Sequence, residues 1–311
     1  MKLGGLHHIT MITGDAQRNV DFYSGVLGLR LVKKTVNFDA PEAYHLYFGD
    51  EHGSPGSILT WFEFAGAAPG RPGAGMIHTL RLGVGSAAAL DFWEQRLGSA
   101  GYEAERDEHS LRFADYDGLA FELAVAAGAN PPLAANHPEI GPDDAIVELT
   151  GARAYGIDPG APFPFLTGAL GFTELGGGEY RLDGEQRTFT WAYDEPPAAR
   201  GLQGAGTVHH IAWASADEDH LAWQQRVRQA GAHVTDVRDR DYFKSIYFRE
   251  PHGILFEIAT LSPGFAVDED PAHLGEALKL PRMHEHLRPQ LERTLIPIVN
   301  PREQWPEGAR I

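Results

Sequence analysis

Two histidine pairs and one acid are the residues whose types and spacing can do chemistry. His7-His8 stands in LHHITMITGD and His209-His210 in VHHIAWASAD, one pattern repeated at a displacement of 202 positions. Adjacent histidines alone are a weak signal; the duplicated context is what singles these out. Glu257 lies in HGILFEIA, an acid in an otherwise apolar strand, and a buried carboxylate needs a cation or strong donors. Successive side chains of a strand point to opposite faces, so one member of each pair is expected to face a given cavity. Two imidazoles and a carboxylate on neighbouring strands suit non-haem iron(II) or manganese(II), leaving positions open for substrate and dioxygen.

Composition narrows the chemistry. The 311 residues carry 26 Lys+Arg against 43 Asp+Glu, a formal charge of −17 that repels phosphates and argues against a nucleic-acid partner. With no cysteine there is no disulfide, thiolate nucleophile or Cys-ligated zinc, so any metal falls to His and carboxylates. MKLGGLHHIT has no apolar signal core and no run of about 18 apolar residues occurs, so a cytoplasmic location without membrane partner is expected.

The elements that position these residues repeat. WEQRLGSAG at 93–101 matches WQQRVRQAG at 223–231, and GLAFELA at 118–124 matches GILFEIA at 253–259. Each unit reads as a strand, an amphipathic helix and three further strands: Leu90, Trp93 and Leu97 share one helical face, as do Val20, Tyr23 and Leu27. The fold class is therefore α+β, with four βαβββ modules at 1–68, 74–128, 146–197 and 204–262, paired into two domains, each a cupped open β-barrel with helices outside. Sequence order gives modules one and two over 1–128, a linker over 129–145, modules three and four over 146–262, and a tail over 263–311. Module three matches the others least, and its APFPFLTGALG segment carries two prolines. In the tail, Leu287, Leu291 and Leu295 form a stripe suited to a homo-oligomer interface or a strap on their own domain.

The repeated unit, with His on its first strand and Glu on its last, resembles the vicinal oxygen chelate superfamily of glyoxalases, bleomycin-resistance proteins and extradiol dioxygenases. LHHITMITGDAQRNVDFYSGVLGLRLVKKTVNFD, AYHLYFGDEHGSPGSILT and YFKSIYFREPHGILFEIAT resemble its hydroquinone-type ring-cleaving dioxygenases. The resemblance spans nearly the whole chain. It implies His8, His210 and Glu257 as metal ligands, with Fe(II) the expected ion and Mn(II) also suited. It places His7, Thr10, Arg240 and Tyr247 around a small aromatic substrate that reacts with O2, in a cavity made by modules one and four.

The repeats bear on that assignment independently. Aligning the Gly-Ala-Gly linkers sets Thr79 opposite His210, so module two lacks an imidazole there, and module three offers none; these two read as scaffold. Thr60 stands where a glyoxalase-type site would carry a fourth ligand, which favours oxygen chemistry over metal-assisted isomerisation. A glyoxalase-type lyase or isomerase and a metal-free aromatic-binding protein are the competing functions. Arg240 also has neighbours, Asp239 and Asp241, with which it can pair on a hairpin, and Trp61, Phe62 and Trp213 suit either a pocket wall or plain core.

Overall fold

The computed structural model describes residues 1–128, 130–158 and 164–305. Module one runs β1 (Gly5–Thr13), α1 (Ala16–Val20), β2 (Arg30–Val36), β3 (Tyr44–Gly49) and β4 (Ile58–Glu63); Asp15 caps α1 by accepting from Arg18 N at 3.0 Å, and a π-helical turn, Asp21–Val26, follows it. Module two runs β5 (Met76–Val84), α2 (Ala87–Ser99), β6 (Ala104–Arg106), β7 (Ser110–Ala114) and β8 (Ala120–Val125). The expected stripe Leu90, Trp93 and Leu97 is buried along α2, which Ser86 caps.

Module three contains β9 (Ile146–Tyr155), β10 (Thr173–Gly176), β11 (Glu179–Asp183) and β12 (Thr188–Asp194). Its helical turn is again of π type, Phe165–Leu170, while residues 161–163 of the proline-bearing segment lie outside the described residues. Module four supplies β13 (Val208–Ser215), α3 (His220–Gln229), β14 (Arg238–Asp239), β15 (Lys244–Arg249) and β16 (Leu255–Thr260).

Two eight-stranded sheets result, in the orders β14-β15-β16-β13-β1-β4-β3-β2 and β10-β11-β12-β9-β5-β8-β7-β6. The four-module α+β expectation holds, but the sheets do not follow the sequence-order division at 128 and 146. β1 pairs antiparallel with β13 and β5 with β9, joining module one to four and module two to three. The reason lies in edge pairing. Inside each module the first strand is parallel to the fourth, which leaves its other edge unpaired, and the matching strand of another module fills that edge.

Strand alternation sorts the two faces of the first sheet. Ile211, Trp213, Phe256 and Ile258 join the main core, where Trp213 meets Trp191 of module three at 6.2 Å between centroids. Ala212, Ala259 and Phe243 face the hollow of the sheet with Val32, Tyr47 and Ile58. The tail straps back across module one: in α4 (Arg288–Thr294), Leu291 packs with Val36 and Leu280, and Tyr44 donates to the Ile296 carbonyl at 3.0 Å. Among the described residues no helix is long and apolar enough to cross a membrane.

Candidate metal centre

His8 comes from β1, His210 from β13 and Glu257 from β16, three adjacent strands of one sheet. Their side chains converge. His8 Nε2 lies 3.4 Å from His210 Nε2 and 3.4 Å from Glu257 Oε2, and His210 Nε2 lies 2.9 Å from the same oxygen. All three are buried, Glu257 completely, and they form the one group of at least three such donors with metal-holding geometry among the described residues. The donor set fits a divalent first-row ion: two imidazole nitrogens and a carboxylate oxygen within 4.8 Å, with Glu257 Oε2 buried and without a hydrogen-bond partner.

Alternation alone would have set the two residues of each pair on opposite faces. Both strands instead carry a β-bulge. Leu6 pairs with Trp213 and His8 with Ala212, leaving His7 extra in β1; Thr10 pairs with His210 and Met11 with Val208, leaving His209 extra in β13. A bulge re-aims the side chain it contains. His7 Nδ1 thereby lies 2.9 Å from His8 Nδ1, and His209 Nδ1 lies 2.7 Å from His210 Nδ1. His7 Nε2 reaches the Thr260 carbonyl at 3.2 Å. Glu257 Oε1 accepts from the Ser245 hydroxyl on β15.

Burial, with His8 beside it, holds the His7 imidazole at about 3, and burial likewise lowers His210 and His45. Burial alone would raise the Glu257 carboxyl, but His8 and His210 beside it hold it well below the usual carboxylate range.

The three candidate donors open on a cavity of about 370 Å3. Its wall includes His45 and Tyr47 from β3, Phe62 from β4, and Phe243, Arg240 and Tyr247 from the β14–β15 hairpin. Of the residues expected around a substrate, Arg240 and Tyr247 are on this wall, whereas His7 and Thr10 are not among its lining residues. Thr10 accepts from Thr60 Oγ1 at 3.0 Å, behind a chain in which Tyr47 Oη and His45 are 2.9 Å apart and His45 and Thr60 are 2.8 Å apart. Arg240 pairs with neither sequence neighbour: it reaches Asp39, while Asp239 and Asp241 bind Arg282 of the tail. Phe62 lines the cavity; Trp61 and Trp213 are core. His45, Ser245 and Phe243 escaped sequence reasoning. Ser245 had a signal, since it shares a strand face with Tyr247.

The second sheet repeats the scaffold without the chemistry. By register, Thr79 takes the place of His8, Gly151 that of His210 and Ala192 that of Glu257. Glu122, opposite Arg81 as Thr60 is opposite Thr10, pairs with that arginine at 2.9 Å.

The sequence matches the family model of the Glyoxalase/Bleomycin resistance protein/Dioxygenase superfamily over residues 5–123 and 153–258. It is 44% identical over 309 residues, covering 95% of this chain and 97% of the relative, to a Bacillus subtilis protein named "Putative ring-cleaving dioxygenase MhqO". It is 31% identical to the chlorohydroquinone/hydroquinone 1,2-dioxygenase of Sphingobium indicum, over 94% of this chain and 96% of that one. A crystal structure named as a "putative dioxygenase" of Bacillus subtilis superposes with a TM-score of 0.88 at 42% identity, covering 96% of this chain and 98% of the other. From the duplicated modules, the match along both halves and these relatives, the chain belongs to the Glyoxalase/Bleomycin resistance protein/Dioxygenase superfamily.

Proposed function

We propose that this protein is a metal-dependent dioxygenase that opens the ring of a hydroquinone- or catechol-type substrate, with Fe(II) in the His8, His210, Glu257 site and Mn(II) the alternative ion. The observation that carries this reading is the convergence of those three donors at the base of a cavity walled by Phe62, Phe243 and Tyr47. The names of the relatives, ring-cleaving dioxygenase and hydroquinone 1,2-dioxygenase, support the same reaction class. Both atoms of dioxygen would end in the product, with a ring carbon–carbon bond broken and the ring itself supplying the electrons, so no outside reductant is needed.

Bound at three protein donors, the ion would leave coordination positions open to a phenolic oxygen and to dioxygen and would relieve the spin barrier between them. The chain's own residues do the rest. The aromatic walls fix the plane of the ring and exclude water. Burial, then the charge of Glu257, pushes the Tyr247 phenol well above its ordinary range, so it holds its proton and can give it to an oxygen that gains charge. Arg240, hydrogen-bonded to that phenol, offers fixed positive charge to the anionic, ring-opened product.

A glyoxalase-type reaction is less well supported, because Thr60 supplies no carboxylate and is engaged by His45 and Thr10. The test is anaerobic reconstitution with Fe(II) or Mn(II), followed by oxygen-electrode traces with a panel of hydroquinones and catechols. Substrate-dependent oxygen uptake is expected. A metal-loaded protein that consumes no oxygen with any of them would falsify the proposal, and binding of the same compounds unaffected by His8→Ala would favour a metal-free binding protein.

A further inference from the structure

An imidazole binds a cation through the ring nitrogen that carries no proton, so His8 serves through Nε2 only while its proton sits on Nδ1. His8 Nδ1 faces His7 Nδ1 at 2.9 Å, and in that contact one nitrogen donates and the other accepts. The far side of His7 decides which. His7 Nε2 lies 3.2 Å from the Thr260 carbonyl, and a carbonyl can only accept. His7 therefore carries its proton on Nε2, presents a bare Nδ1, and draws the His8 proton onto Nδ1.

We infer that His7 is a positioning residue: held by the Thr260 carbonyl, it locks His8 in the tautomer whose Nε2 lone pair points at His210 and Glu257. This rests on the reading of those residues as a metal centre. The placement agrees with the role, since His7 is 3% exposed, does not line the cavity, and reaches His8 only because of the bulge. Thr260 ends the strand that carries Glu257, so one imidazole couples the orientation of one ligand to the backbone of another.

The bulge is not peculiar to this site. In the second sheet Ile77 pairs with Ala154 and Thr79 with Arg153, so His78 is extra in β5; Thr150 is extra in β9 in the same way. His78 Nδ1 lies 2.9 Å from Thr79 Oγ1 and its Nε2 lies 2.9 Å from Asp194. The bulge thus aims the first residue of the pair at the second even where the second is no ligand. At His7 that inherited geometry meets a ligand imidazole on one side and a backbone acceptor on the other.

The experiment compares the full-length protein with His7→Leu and His7→Asn, using Zn(II) as a diamagnetic probe in competition with a chelator. Leu and Asn have nearly the same size, but only Asn places an acceptor oxygen where Nδ1 was. Loss of an outer partner weakens metal binding roughly 10- to 100-fold, which is expected for His7→Leu, while His7→Asn should recover most of that loss. Equal weakening by both variants, or none by His7→Leu, overturns the inference and leaves the centre standing. No Zn(II) binding by the unmodified protein overturns the centre and the inference together. Independently of any variant, nitrogen-15 correlation spectra of the Zn(II)-loaded protein should report His7 as the Nε2–H tautomer; the Nδ1–H form overturns the inference.

Discussion

Arg240 donates through Nε to the phenolic oxygen of Tyr247 at 3.2 Å, and the same guanidinium reaches Asp39 Oδ2 at 3.2 Å. Asp39 is 79% exposed on its side-chain surface, whereas Tyr247 lies beside His210 at 5.8 Å between ring centroids, so one cation links the solvent side of the cavity to the candidate metal centre. The pairing with Asp39 alone contributes little to stability because it lies in water. Its importance is directional, since it fixes which way the guanidinium faces.

On the proposed function, Tyr247→Phe removes a phenolic proton that would stand beside the substrate ring. Steady-state kinetics should show kcat/KM falling by about 100-fold or more, with metal affinity unchanged. A loss below about threefold would mean that the phenol only fills space. Arg240→Met should lower kcat/KM by a similar factor, on the order of 100-fold, through lost stabilisation of charge.

His8→Ala and His210→Ala each remove one of the three candidate donors, and Glu257→Gln removes the charge of the third. Metal analysis after anaerobic loading should find each variant largely empty under conditions that fill the unmodified protein. Glu257→Gln is the sharpest case, because its shape is kept and only charge is lost. Retention of a full equivalent of metal by both His8→Ala and His210→Ala would show that the ion sits elsewhere.

Glu250, at the turn into β16, accepts from the backbone of His252 and Ile254 and from Tyr193. Burial nonetheless raises its carboxyl from 4.5 to about 7. Between those values the folded protein holds a proton that the unfolded chain has released, so this group's contribution to stability is present at low pH and is lost as pH rises through about 7. Each pH unit is worth about 1.4 kcal/mol, giving about 3 kcal/mol in all. Buried histidines, whose values are lowered, act with the opposite sign, so the comparison must be with Glu250→Gln. The stability of the unmodified protein minus that of the variant should shrink from pH 5 to pH 8 in urea titrations. A difference that stays flat would show that Glu250 is ionised when folded.

Lys33 is fully buried in β2, where its ammonium meets Asp268, at 2.6 Å, and Glu269 of the tail, over the ring of Tyr242. Lys33→Met leaves a buried carboxylate without its cation, which costs about 3–5 kcal/mol. The variant should unfold at lower denaturant and lose tail residues to limited proteolysis. Adding Glu269→Met should restore part of the loss, and the absence of any recovery would locate the effect in packing instead.

Much of the site was legible because it is written twice. The HHI motif repeats with its flanks, and Glu122 and Glu257 mark the same strand in two modules, so the candidate donors stand out against Thr79, the degenerate counterpart in module two. His7 was singled out, but its contacts with His8 and the Thr260 carbonyl were not foreseen. A period of two sends adjacent residues to opposite faces, and the bulge that cancels this rule has no composition of its own. Arg240 could not be matched to Asp39, 201 residues away, from local spacing that offered Asp239 and Asp241. His45 stands alone in an aromatic strand, and nothing in the repeats marks it. Local residues hid the module pairing for a related reason, since proximity along the chain favours modules one and two; the resemblance set modules one and four around one cavity, and the free edge of β1 is filled by β13. The leucine stripe of the tail was open between two uses, and Leu291 settles onto Val36 and Leu280 of its own chain.

That long-range pairing has a consequence for biogenesis. His8 leaves the ribosome first among the three donors, yet its two companions are made more than two hundred residues later. On the proposed metal reading, a chain that lacks module four holds one of the three candidate donors, and loading would follow the completion of that module.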